Sequence, residues 1–85
     1  MDEINEKILI AIGESRKMGE EIWVKKLVSR LDGRAAEPTV HKRVRGLVKE
    51  GMLTDKTVTE DGIIYKYLYL SELGEQAINK AIVNE

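Results

Sequence analysis

The 85-residue chain contains no cysteine, no phenylalanine, one proline and one histidine. Without cysteine, disulfides, thiolate zinc sites and a cysteine nucleophile are excluded, so packing or a partner subunit must hold the fold. One histidine, with no carboxylates at metal-ligand spacing and no glycine-rich phosphate loop, predicts a non-enzymatic protein without a metal or cofactor. No apolar run reaches the roughly 20 residues of a membrane span. The start MDEINE lacks the positive charge of a signal peptide, which predicts a cytoplasmic protein.

The length and composition that remain are those of one small folded domain. Hydrophobic residues make up 42% of the chain and charged residues 34%, which is ordinary for a soluble globular protein. A chain of this length supports a single core. We therefore assign residues 1–85 to one domain.

The net charge of −1 hides a strong segregation of charge along the chain. Residues 1–22 hold three basic and six acidic side chains, residues 23–49 hold eight and two, and residues 50–85 hold three and seven. The middle third is therefore strongly cationic between two acidic segments. Such asymmetry is typical of a local footprint for a polyanion, and the alternative is a solvated helical surface.

The first third of the chain predicts two helices. Apolar residues recur at helical spacing and become continuous over 8–12, which predicts a helix over about residues 3–13 with more apolar surface than one core needs. Apolar residues at i, i+3, i+4 and i+7 from Val24 to Leu31 predict a second helix. Between the two, Glu21–Trp23 has the composition of a very short strand.

A third helix concentrates the basic residues. Pro38 suits a first helical turn, so the helix begins at Glu37 or Pro38, and Gly51 marks its end. At about 100° per residue, its apolar side chains fall on one side and its polar and basic side chains on the other. The apolar set is Val40, Val44, Leu47 and Val48, and the outward set is Pro38, Thr39, Lys42, Arg45, Gly46 and Lys49. His41 and Arg43 lie on opposite flanks of the outward face.

A hairpin and a last helix complete the chain. Met52–Thr59 and Ile63–Leu70 are rich in β-branched and aromatic residues, and Glu-Asp-Gly at 60–62 is a hairpin turn sequence. Three tyrosines alternate onto one face, which is either a half-buried sheet face or a surface for stacking bases. Ser71 is a suitable N-cap for the last helix.

This order of elements is that of a winged helix-turn-helix, an α+β fold with a three-helix core, a two-stranded β-hairpin wing and a C-terminal helix. Three segments resemble MarR-like and PadR-like transcriptional regulators over nearly the whole chain. IWVKKLVSRL is similar to their second helix, PTVHKRVRGLVKEGML to the recognition helix with its T-V-x-x-x-[VI]-x-x-L-x-x-x-G-[LM] pattern, and YKYLYLSELGEQAI to their L-[ST]-x-x-G exit.

The resemblance implies a homodimer that binds double-stranded DNA, with the third helix in the major groove and the wing against the neighbouring backbone or minor groove. Carried onto this chain, it implies that Thr39 holds a phosphate at the helix start, and that His41, Lys42 and Arg45 meet base edges. Arg43 and Lys49 are expected to bind phosphates. Arg45 is the leading candidate for reading sequence, because the planar guanidinium matches two acceptors of guanine.

Three features depart from this pattern. The wing tip is acidic, with Glu60 and Asp61 where such wings carry arginine or lysine. The connection over 32–37 is longer than the usual tight turn, and the chain is shorter than typical members, which have extra helices for dimerisation. Dimerisation is therefore expected through apolar surface on the first and last helices, and burial within one chain is the alternative. The predicted interface residues are Ile4, Ile8, Leu9, Ile12, Leu73, Ala77, Ile78, Ala81 and Ile82.

The sequence thus favours a sequence-specific DNA-binding regulator, more readily a repressor than an activator because so small a chain has little surface left for recruiting polymerase. The alternative is a winged-helix module that binds protein and not DNA, using the acidic wing and acidic termini as docking surfaces. A small-molecule effector stays open. Retention on duplex DNA at low salt separates the first two hypotheses.

Overall fold

The computed structural model describes residues 2–83, with side chains as far as Lys80. It contains α1 (Glu3–Lys17), α2 (Val24–Arg30), α3 (Glu37–Lys49), β1 (Leu53–Glu60), β2 (Ile63–Leu70) and α4 (Glu72–Val83). The two strands form one antiparallel hairpin. The predicted α+β architecture of three helices, a two-stranded wing and a C-terminal helix is confirmed.

Helix α1 is one turn longer than its apolar pattern predicts. Asp2 caps its start, because Oδ1 accepts hydrogen bonds from the N–H groups of Ile4 and Asn5 at 2.8 and 3.3 Å. The predicted end near residue 13 is wrong, since the polar residues that follow remain helical as far as Lys17. Basic side chains in this last turn complement the negative end of the helix dipole.

Three residues predicted for a dimer interface belong to the core of the single chain. Ile8, Leu9 and Ile12 are 0, 0 and 1% exposed. Helix α1 contacts α2, α3, α4 and β2, so its wide apolar surface is covered by four elements of the same chain. The assignment of these three residues to an interface between copies is therefore wrong. Periodicity shows that α1 is apolar on several sides, but it does not show which elements surround it.

Helices α2 and α3 form the helix-turn-helix pair. Leu27 of α2 is fully buried, as are Val40, Val44 and Leu47 of α3, at 0, 4 and 1% exposure. The connection is long, as expected, and turns through left-handed backbone at Asp32 and Gly33, with φ of 52° and 79°. Helix α3 begins at Glu37, within the predicted bounds.

The end of α3 sets the direction of the wing. Gly51 has a φ of +80°, a conformation that favours glycine. Its N–H donates to the Val48 carbonyl at 3.0 Å, and the N–H of Met52 donates to the Leu47 carbonyl at 2.9 Å. These two bonds form a Schellman motif, which ends the helix and turns the chain into β1. The predicted stop at Gly51 is confirmed.

The wing is a regular hairpin whose register runs from Leu53 opposite Leu70 to Glu60 opposite Ile63. Asp61 and Gly62 form its two-residue loop with φ of 51° and 77°, as a type I′ turn requires. Within the described chain, Glu21–Trp23 is not a strand. It adds one hydrogen bond to the outer edge of β2, from the Leu68 N–H to the Ile22 carbonyl at 2.8 Å.

Helix α4 begins where the sequence predicts. The Ser71 hydroxyl oxygen accepts a hydrogen bond from the Gly74 N–H at 3.1 Å, which is an N-cap. The Ser71 N–H in turn donates to the Met52 carbonyl at 3.1 Å. A Cβ added at Gly74 would lie 2.1 Å from the oxygen of that carbonyl. The glycine therefore allows α4 to cross the start of the wing at close range.

Candidate nucleic-acid interface

The exposed face of α3 carries the predicted contact residues. Side chains of Val40, Val44 and Leu47 point into the core, as the 100° projection predicts. Five of the six residues predicted to contact DNA are exposed: Thr39, His41, Lys42, Arg45 and Lys49. A Cβ added at Gly46 would meet nothing within 4 Å, so the middle of this face is open.

The sixth residue, Arg43, lies on the flank of α3 that faces α1. Its Nη1 atom lies 2.7 Å from Oδ2 of Asp2, and both side chains are partly exposed. The hydrogen bond from Arg43 is the main reason that the pKa of Asp2 is lowered, and the backbone N–H of Asn5 adds to it. Asp2 therefore caps α1 and holds the flank of α3 at the same time.

The opposite flank of α3 forms one wall of a groove beside the wing. Glu37, His41 and Arg45, spaced by four residues, lie along this wall. The start of α2 and the outer edge of β2 provide the other wall, so the groove joins α2, α3 and the wing. The groove has a volume of about 430 Å³ and is lined across from α3 by Trp23, Val24, Lys25, Ile64, Tyr65 and Lys66.

Lys25 and Lys66 also lie at this site, although the sequence does not predict them there. Lys25 is the second residue of α2, and Lys66 is exposed on the strand face that also carries Ile64 and the buried Leu68. One signal was present for Lys66, because a lysine interrupts an otherwise apolar alternation at this position. Their placement on one groove depends on the packing of α2 against the wing, which no local pattern shows.

The cations of the middle segment differ in whether they are paired. Lys26 and Arg30 form salt bridges with Glu20, and Arg43 forms one with Asp2. Across residues 2–83, no carboxylate pairs with the other set at 4.0 Å or less, so that set is available to an anionic ligand. It consists of Lys25, Arg34, Lys42, Arg45 and Lys49.

The face of the wing that carries Tyr65, Tyr67 and Tyr69 makes its contacts with other residues of the same chain. Tyr65 and Tyr67 pack on Trp23, with ring centroids 5.0 and 5.9 Å from the tryptophan ring, and Tyr67 is only 8% exposed. The hydroxyl groups of Tyr67 and Tyr69 donate to Glu60 and Glu21 at 3.1 and 2.8 Å. This arrangement is the half-buried sheet face, the first of the two alternatives for the tyrosines.

These tyrosine contacts also change two ionisation equilibria. Burial, followed by the hydrogen bond to Glu60, raises the pKa of Tyr67. The hydrogen bond to Glu21 is the main cause of the raised pKa of Tyr69. Both phenols are therefore held in their protonated form, as hydrogen-bond donors that tie the wing to carboxylates.

The remaining predicted interface residues lie on α1 and α4. Ile4, Ala77 and Ile78 are half-buried against the core, whereas Leu73 is 48% exposed. The side chains of Ala81 and Ile82 lie outside the described residues. A second groove of about 460 Å³ runs between the two helices, lined by Ile10, Gly13, Leu70 and Ile78 among others.

In the part of the chain with described side chains, no three histidine or acidic side chains are grouped to hold a metal ion. None of the four helices over residues 2–83 has the length and hydropathy to cross a membrane.

The fold matches a solved winged-helix protein. The structure of Bacillus subtilis PadR in complex with operator DNA superposes with a TM-score of 0.80 and 16% sequence identity. The match covers 94% of this chain and 46% of the PadR chain, so this chain spans about half the length of that protein. No family model and no curated protein matches the sequence. The chain therefore has the PadR-like winged helix-turn-helix fold.

Proposed function

We propose that this protein is a sequence-specific, double-stranded DNA-binding transcriptional regulator that places α3 in the major groove. The observation that carries the proposal is the exposed α3 face, on which unpaired cations stand above a row of buried valines and a leucine. A helix anchored in this way presents its charge as a rigid surface at the width of a DNA major groove. The shared fold with PadR, solved in complex with operator DNA, supports the proposal.

In this proposal the residues of α3 divide by position. Thr39 binds a phosphate at the start of the helix, and Lys49 binds one at its end. His41, Lys42 and Arg45 contact base edges, with Arg45 donating to guanine through its planar fork. Arg43 reaches a phosphate only by leaving Asp2, and an exposed pair of this kind is weak enough to exchange.

We further propose a cytoplasmic repressor that acts as a homodimer on two half-sites about one helical turn apart and needs no cofactor. Exposed Leu73, together with Ile4, Ala77 and Ile78 at the surface of α1 and α4, supports a contact between copies. The variant Leu73→Glu is expected to convert a dimer into a monomer in a sedimentation concentration series. A wild-type mass that stays monomeric at micromolar concentration would end the dimer proposal.

The DNA proposal is tested by binding. Duplexes selected from a random library with the wild-type chain are titrated by fluorescence anisotropy against Lys42→Ala and Arg45→Ala. Each loss is expected to weaken binding, and Arg45→Ala should also relax base preference at one position by about 1–3 kcal/mol. Lys17→Ala, on the far groove between α1 and α4, is the matched control. Unchanged binding by both α3 variants would reject this helix as the DNA-reading element.

A protein-binding module is the second candidate, and the wing favours it. Ile63 and Ile64 are 54 and 71% exposed beside the acidic turn residues Glu60 and Asp61. An apolar and acidic tip of this kind suits a protein partner better than phosphates. No retention on any duplex at low salt, together with a partner lost on Ile64→Thr, would favour this function.

A further inference from the structure

We propose that the groove between α3 and the wing receives the sugar-phosphate backbone of one DNA strand, with Lys25, Lys66 and the outer edge of β2 as the binding groups. The inference rests on the proposed function and extends it. It assigns DNA contacts to α2 and to the side of the wing, and it leaves the acidic wing tip away from the duplex.

The charge of the groove selects an anionic occupant. Lys25, Arg45 and Lys66 bring three permanent positive charges from three different elements, whereas Glu37 is the only carboxylate among the described residues that line the groove. Lys66 lies 3.3 Å from Asp55 across the hairpin, but this pair is exposed and therefore weak. Lys66 can thus exchange the carboxylate for a phosphate. Arg45 belongs both to the groove and to the exposed face of α3, so a DNA strand in the groove would be continuous with the duplex that α3 contacts.

The backbone of β2 adds donors to the same wall. In an antiparallel ladder, N–H groups point alternately toward and away from the partner strand. Leu68 donates outward to Ile22, so the N–H groups of Lys66 and Ile64, two and four residues earlier, also point outward. No backbone carbonyl of residues 2–83 accepts from them on that side. Backbone N–H groups are common partners of DNA phosphates.

The apolar part of the groove also fits a DNA strand. Among the described residues, Ile64 is the most exposed large hydrophobic side chain, at 71%. It stands on the groove wall next to Lys66, where a bound strand presents the apolar carbons of deoxyribose between its phosphates. Exposure of the apolar Ile64 side chain to water is unfavourable, and a bound DNA strand would cover it.

The same geometry explains how an acidic wing is compatible with DNA. Asp61 is at the loop of the hairpin, and Glu60 is held by the hydroxyl of Tyr67 on the opposite face from Ile64 and Lys66. A strand that lies along the side of β2 does not have to pass these carboxylates. The wing therefore contacts DNA through its edge.

The experiment measures binding of the selected duplex between about 50 and 200 mM salt. Each phosphate contact contributes about −0.9 to the slope of log K against log salt, so Lys25→Gln and Lys66→Gln are each expected to reduce the slope by about 1 and the double variant by about 2. Ile64→Thr keeps the β-branched side chain and is expected to weaken binding without changing the slope. Asp61→Asn keeps the turn and is expected to leave affinity unchanged within about twofold.

Lys17→Gln and Lys56→Gln are the matched controls, because the first lies on the far groove and the second on the other face of the wing. The inference is overturned if the Lys25 and Lys66 variants keep the wild-type slope, as they would if the groove held a peptide strand. It is also overturned if Asp61→Asn strengthens binding about tenfold, which would place the tip beside phosphates. If the inference is overturned in one of these ways but Arg45→Ala still loses binding, the proposed DNA-binding function stands. A wild-type chain that binds no duplex would remove both the inference and the proposed function.

Discussion

Two glycines inside helices are expected to respond to alanine in opposite directions. At Gly46, in the middle of α3, an added methyl group meets nothing within 4 Å. Alanine is a better helix former than glycine by about 1 kcal/mol, because it loses less backbone entropy on folding. Gly46→Ala is therefore expected to stabilise the protein by about 1 kcal/mol, which raises Tm by about 4–8 °C in a domain of this size.

At Gly74 the same change meets backbone. The added Cβ would lie 2.1 Å from the carbonyl oxygen of Met52, whereas close C···O contacts are about 3.3 Å or longer. Helix α4 and the start of β1 must separate by roughly 1 Å, which strains two hydrogen bonds of Ser71 with Met52 and Gly74. The two weakened hydrogen bonds cost about 1 kcal/mol each and the strain costs about 1–3 kcal/mol, whereas the higher helix propensity of alanine returns about 1 kcal/mol. Gly74→Ala is therefore expected to lower the free energy of unfolding by about 2–4 kcal/mol.

Urea and thermal unfolding followed by circular dichroism measure both changes. The two variants carry the same chemical change inside a helix, one in open space and one against backbone, so each is the control of the other. Stabilisation by alanine at both positions would show that α4 does not approach Met52 as closely as described. Destabilisation at Gly46 would show that the α3 face is covered in solution, for example by a second copy of the chain.

Two further predictions concern pH. Because the pKa of Asp2 is lowered, its contribution to the free energy of unfolding is present above the ordinary pKa of 3.8 and is lost as pH falls through the pKa of the folded state. Urea unfolding measured at a series of acid pH values should therefore show a smaller loss of stability in Asp2→Asn than in the wild type. Asparagine keeps the helix cap but has no charge to lose. Equal loss in both proteins would contradict the Arg43 contact. Because the pKa of Tyr67 is raised, its contribution is present below the ordinary value of 10.0 and lost as pH rises through the folded value. Tyrosinate absorbance and urea stability measured at alkaline pH should show this loss of stability. The loss should be absent in Tyr67→Phe. A Tyr67 that ionises at its ordinary pKa would contradict the hydrogen bond to Glu60.

The sequence predicts those parts of the fold that depend on neighbouring residues. The two sides of α3, the stop at Gly51, the hairpin turn and the Ser71 cap each follow from local spacing or backbone preference, and the structure has all four. The resemblance to PadR-like regulators supplies the order in which these elements pack.

The features that the sequence does not predict are contacts between distant residues. Arg43 and Asp2 are 41 positions apart, and Lys25 and Lys66 are also 41 apart. Local patterns carry no information about which side chains face each other across such distances. The same limit explains the error at Ile8, Leu9 and Ile12, whose burial depends on four elements that surround α1.

The negative net charge does not oppose the proposed function, because the cations differ both in where they lie and in whether a carboxylate pairs with them. Several cations of the middle segment that lie away from the α3 outer face and its groove are neutralised by Glu20 and Asp2. Those on the α3 face and the groove have no carboxylate within 4.0 Å among residues 2–83, apart from Lys66. At physiological salt, charges beyond about 8 Å are largely screened. A duplex at α3 therefore responds to the local cations and only weakly to the acidic ends of the chain, so binding should be lost steeply as salt rises even though the protein is slightly acidic overall.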